Sequence, residues 1–154
     1  MMGSERFRRL DEQVYVAPQL VAADFEAARA AGVRTIINNR PDGEAPDQLP
    51  SAEAARLAEA AGLDYVHIPV PSGGMTRFHV DAFADALAGR QGPFLAYCRS
   101  GTRCCHLWAF TAARQTPVDG VIESAARAGY DLEGARHVLE QVAEEARQPT
   151  AGQR

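Results

Sequence analysis

No apolar run in this 154-residue sequence approaches the length of a membrane span. The basic start, Arg6, Phe7, Arg8 and Arg9, is not followed by the hydrophobic stretch that a secretory signal needs. The expectation is a cytoplasmic protein with no membrane partner. Positive charge is in short supply too. With 16 Lys and Arg against 20 Asp and Glu, the formal net charge is -4, the wrong sign for a surface that holds nucleic acid. Cysteine is scarce and badly placed for staples. The 3 cysteines, Cys98, Cys104 and Cys105, are odd in number and sit almost side by side. They form no disulfide framework and lack the paired spacing and nearby histidines of a zinc site, although His106 is adjacent. No metal and no other cofactor is expected. Internal repeats, linkers and low-complexity segments are missing as well. Residues 10–147 therefore read as a single domain, with 1–9 and 148–154 as flexible termini.

What is present is an ordinary soluble composition, 46% apolar and 23% charged, on a chain long enough to bury its own core. Short β-favouring runs predict strands over 13–16, 33–38, 64–69 and 94–98. Between and after them the pattern predicts helices over 24–31, 51–61, 77–88, 104–114, 117–128 and 131–147. Ser51, Thr76 and Thr116 stand where helix caps belong, and Gly32, Gly62, Gly89 and Gly129 where helices stop. Strands alternating with helices mean an α/β fold: a single, mainly parallel four-stranded sheet with helices on both faces. Functional sites in such sheets lie beyond the C-terminal strand ends. The loops 39–44, 70–75 and 98–103 all begin there, and that convergence is more telling than any one motif.

The most informative stretch is Phe94-Leu95-Ala96-Tyr97-Cys98-Arg99-Ser100-Gly101-Thr102-Arg103. An apolar strand ends in a cysteine, a loop with a small flexible centre follows, and an arginine leads into a long helical pattern. Such a loop gathers backbone N–H groups and the positive end of the helix dipole into one anion pocket. A cysteine at its mouth has a stabilised thiolate. Cys98 is therefore the candidate nucleophile and Arg103 its catalytic partner. Arg99, Ser100, Gly101 and Thr102 are candidates for binding the anion: glycine permits the tight turn, and the hydroxyls can bond an anion or the sulfur. Asn39, Arg40 and Asp42 are candidates for the pocket rim, the other reading of Asp42 being a turn residue bonded to its own backbone.

These residues reach a known family. Cys-x4-Arg, as C-R-S-G-T-R, resembles the active-site loop of rhodanese-type sulfurtransferases. Ile36–Glu44, Ile68–Val70, Ala96–Arg103 with Leu107 and Trp108, and Ala128–Leu132, in that order, resemble the beta-lactamase-hydrolase-like phosphatase-like domain, also described as a sulfurtransferase family. The resemblance spans about residues 10–135 and implies a fold similar to the dual-specificity, cysteine-dependent phosphatases. Two chemistries follow. Cysteine phosphatases carry His-Cys-x5-Arg-Ser/Thr and an aspartic acid that protonates the leaving group. Here Tyr97 stands for the histidine, the arginine comes one residue early and Cys104 replaces the hydroxyl. The loop after the third strand has no carboxylate, leaving Asp42 and Glu44 as the acidic candidates on that edge.

Persulfide chemistry needs less. Cys98 would take sulfur from a small anionic donor, thiosulfate or a persulfide, and pass it to a thiol acceptor, with no strong general acid. Sulfur transfer is the main expectation. The alternatives are hydrolysis of a phosphate ester through a phosphocysteine, and a redox-sensing, anion-binding role in which Cys104 or Cys105 resolves an oxidised Cys98. Otherwise Cys104 and Cys105 read as small helix-packing residues. His67 and His106 read as core or edge histidines, and Trp108 and Phe110 as core. The residues leave the oligomeric state open.

Overall fold

The computed structural model describes residues 6–148. Its centre is β5 (Phe94–Tyr97), whose four residues are all buried, flanked by β2 (Val14–Ala17) and β3 (Thr35–Asn38). β4 (Asp64–His67) closes one edge and β1 (Arg8–Arg9) the other, in the order β1-β2-β5-β3-β4. β2, β5, β3 and β4 run parallel, with Val16, Ala96 and Ile37 in register across the middle; β1 alone is antiparallel.

Side chains alternate across a strand, and β5 uses both faces. Phe94, Ala96 and Cys98 join the core packed by α3 (Arg77–Gly89), α4 (Thr102–Ala112), α5 (Val118–Arg127) and α6 (Arg136–Arg147). Leu95 and Tyr97 join the opposite core, with Phe25 and Ala28 of α1 (Ala22–Ala30) and Ala54 and Ala58 of α2 (Ser51–Ala60). The α/β architecture with helices on both faces is that expected from the sequence.

The sheet has five strands, not four. Arg8 and Arg9, placed by the sequence in a loose lead-in, pair through their backbones with Val16 and Tyr15. A two-residue arginine strand carries no hydrophobic alternation, so its pairing left no sequence signal. Buried Phe7 and the bond from Arg8 Nη1 to the Ala128 carbonyl (2.8 Å) anchor it. Several boundaries also move, two of them near the site or the C-terminus. α4 begins at Thr102 rather than at residue 104, because Gly101 turns the chain directly into it. The last helical stretch is a 3-10 turn, Glu133–Ala135, followed by α6. The terminal segments expected to be flexible lie largely outside the described residues.

Candidate active site

β5 delivers Cys98 to the C-terminal edge of the sheet, buried against the α3–α6 core with 1% of its surface exposed. The chain then reverses into α4 through Gly101, whose φ of +93° lies in the left-handed region that glycine enters without penalty. A Cβ at this position would also collide with the Tyr130 hydroxyl. The turn aims the Gly101 N–H at Cys98 Sγ, 3.2 Å away, and the amides of Arg103 and Cys104 bond the same sulfur. These are first-turn amides of α4, free of intrahelical partners by construction.

The Cys104 thiol is the largest influence on Cys98. It donates to the Cys98 sulfur and, with the three amides, outweighs burial to bring the Cys98 pKa down to about 5. Cys104, fully buried beside that thiolate, has its own pKa driven well up, first by burial, and stays a protonated donor. Cys105 is pushed up to about 12, chiefly by burial, and packs in the core. Cys104 thus has a role that the sequence reading, which offered packing or disulfide resolution, missed. Its position directly after Arg103 was the available signal.

Arg103 is held from three directions. Nη1 donates to Glu44 Oε2 (2.8 Å) and to the Val70 carbonyl (2.8 Å), and Nη2 donates to Glu44 Oε1 (2.9 Å). Of its five N–H groups, Nε–H and the second Nη2–H have no bond to any described residue. They form one edge of the planar guanidinium, a fork suited to two oxygens of an anion. The nearby Cys98 thiolate also helps to raise the Arg103 pKa, after the larger effect of Glu44.

Glu44 is in turn fixed by Arg40, whose Nε donates to Oε1 (2.9 Å). Bonds from Arg103, then from Arg40, lower the Glu44 pKa to about 2. Glu44, one of the two acids considered from the sequence, is therefore a permanent carboxylate that orients Arg103.

The remaining candidates divide. Arg40 is 4% exposed and also donates from Nη1 to Gln19 Oε1 (2.9 Å); it braces Glu44 and is no rim residue. Asn39 is fully buried, joining β5 to the loop after β4 by donating its amide N–H to the Tyr97 carbonyl and Nδ2 to the Ile68 carbonyl. Asp42 is exposed, and its Oδ1 accepts the Ser51 N–H at the start of α2 (2.8 Å), so it ties the loop to a helix start nine residues on and is neither a rim residue nor bonded to its own turn. Ser100 and Thr102 are exposed and bond one another, Ser100 Oγ donating to Thr102 Oγ1 (2.9 Å), so neither hydroxyl serves the sulfur. Arg99 is exposed; its carbonyl accepts the Gln19 N–H (3.2 Å), which ties the loop to the end of β2. The sequence offered no sign of Gln19, which touches both Arg40 and this loop. A separate groove of about 700 Å³ between α3, α4 and α6, lined by Met75, Val80, Phe110, Val138 and Val142, contains none of these residues.

A parallel sheet whose central strand ends in an amide-ringed cysteine, with a following arginine tied to a neighbouring crossover, is the phosphatase-like class of α/β fold. Two solved structures share it. A proposed phosphatase of Neisseria meningitidis Z2491 is 39% identical, with a TM-score of 0.81 over 89% of this chain and 98% of that one. Kinase associated phosphatase, solved with its catalytic-site cysteine replaced by serine, is 15% identical, with a TM-score of 0.68 over 89% of each chain, a likeness of fold alone. The chain belongs to the family of the beta-lactamase hydrolase-like protein, phosphatase-like domain, whose model matches residues 6–115. A beta-lactamase hydrolase-like protein of Agrobacterium fabrum is 36% identical over 138 residues, 86% of this chain but 31% of that one. The chain spans about a third of the length of the curated relatives it matches. These relatives support the phosphatase alternative; they do not carry the sulfur transfer that was the main expectation.

Proposed function

We propose that this chain is a cysteine-dependent phosphatase acting on phosphate esters. The observation that carries the reading is a Cys98 thiolate ringed by loop amides close to an Arg103 guanidinium whose Nε–Nη2 edge is unclaimed, so that one small anion can meet both. Cys98 attacks phosphorus, the leaving group departs with the electron pair of its P–O bond, and a phosphocysteine forms. Arg103 and the loop amides hold the equatorial oxygens, as positioning and charge stabilisation dominate phosphoryl transfer. Water then displaces the sulfur. The Cys104 thiol donates to the returning thiolate, taking the place of the hydroxyl that follows the arginine in cysteine phosphatases.

Acid quench during turnover of an aryl phosphate tests this. The expected product carries a phosphoryl adduct of roughly 80 Da on the Cys98 peptide, and Cys98→Ser lowers turnover by about 10³-fold or more. Absence of both effects overturns the reading. One observation favours sulfur transfer as a second reading: it needs no proton donor, and Glu44 is not one. The same peptide incubated with thiosulfate would then gain roughly 32 Da.

A further inference from the structure

Phosphoryl transfer from an ordinary alkyl ester requires a proton on the departing oxygen, which a positioned acid supplies. Of the acidic groups in the loops at this edge of the sheet, Asp42, Asp47 and Asp131 are exposed to solvent, and Glu44 is partly buried against Arg103. Both Glu44 oxygens are occupied by N–H groups of Arg40 and Arg103. Asp42 is exposed and bonded to the head of α2, and the Asp131 carboxylate accepts the Glu133 N–H. The loop 70–76 contains no carboxylate at all.

Of the other proton carriers near these loops, three face backbone carbonyls, while His79 accepts the Thr76 N–H at Nδ1. His67 Nε2 bonds the Arg40 carbonyl, His106 Nδ1 the Thr102 carbonyl, and the Tyr130 hydroxyl donates to the Ser100 carbonyl (3.1 Å). Positive charge, by contrast, is available. Arg99 is exposed in the loop with no ion pair among the described residues. A cavity of about 340 Å³ beside the loop is lined by Arg6, Arg8, Ser100 and Tyr130, but Arg6 pairs with Asp24 and Arg8 donates to the Ala128 carbonyl, leaving Arg99 as the loop's own exposed cation.

We infer that the substrates are activated phosphates, namely phosphoanhydrides, acyl phosphates or aryl phosphates, whose leaving group departs as a stable anion without being protonated. The inference rests on the phosphatase reading above. Cys98 Sγ bonds to phosphorus as the P–O bond breaks, and the leaving group keeps the electron pair and meets guanidinium charge rather than a proton. Water then attacks phosphorus, the S–P electron pair returns to Cys98, and the protons of water pass to inorganic phosphate and solvent.

The test is kcat/KM of the full chain on p-nitrophenyl phosphate, phenyl phosphate, an alkyl diphosphate and ethyl phosphate. The expected result is a steep rise with leaving-group acidity and turnover of the diphosphate. Ethyl phosphate should trail phenyl phosphate by at least the roughly 10²-fold that a general acid would recover. Ethyl phosphate within about tenfold of phenyl phosphate overturns the inference while leaving the phosphatase reading intact, because a proton donor would then be serving the leaving oxygen. No turnover of any of the four, with no phosphoryl group on Cys98, overturns both.

Discussion

An ordinary cysteine keeps its proton to about pH 8.5; Cys98 releases its own near 5 because a buried thiol and three amides aim at one sulfur. The sign follows directly: below about 5 the thiol is protonated and unreactive, and above it the thiolate fraction saturates. Alkylation of Cys98 by iodoacetamide, followed by peptide mass, should therefore rise through a midpoint of about 5, while Cys104 and Cys105, held as protonated thiols, stay unlabelled in the folded protein. Cys104→Ala, which deletes the largest influence, should move that midpoint upward; an unchanged midpoint would show that the amides alone hold the charge. At this scale the candidate nucleophile was legible because Arg99 and Arg103 bracket a small hydroxyl-bearing loop directly after the strand-end cysteine. The Cys104 donor was not, since a thiol in the first turn of a buried helix reads equally well as packing.

At the scale of elements, the site depends on the turn between β5 and α4. Gly101 sits at φ +93° and leaves no room for a Cβ against Tyr130. Gly101→Ala should cost about 1–3 kcal/mol, read by denaturant melting, and should raise the Cys98 alkylation midpoint because the Gly101 amide is one of its donors. An alanine variant as stable as the parent, with the same midpoint, would show that the turn tolerates a side chain. The helices and parallel strands were readable from period, caps and β-favouring residues, β5 as a short continuous apolar run buried on both faces. β1 was not, because its residues pair by backbone alone.

The whole molecule decides how Arg103 is oriented. Glu44 follows β3 and Arg103 opens α4, 59 residues apart in sequence, and they meet because β3 and β5 are neighbours in the sheet. Glu44→Gln should lower the melting temperature, because buried Arg40 and partly buried Arg103 lose their carboxylate, and lower kcat on an aryl phosphate about tenfold or more, since a neutral amide no longer clamps both guanidinium nitrogens. Wild-type kcat in that variant would reduce the Glu44–Arg103 pair to a surface ornament. By itself the sequence determined the architecture, the edge where loops converge and the candidate nucleophile. Those properties follow from hydrophobic period, turn chemistry and one local motif. Only the tertiary structure decided that Glu44 is an anchor instead of an acid, that Asn39 and Arg40 are braces, and that Ser100 and Thr102 satisfy each other. A side chain's protonation state and hydrogen-bond partners depend on what distant segments bring within about 3 Å, and no linear pattern records that distance.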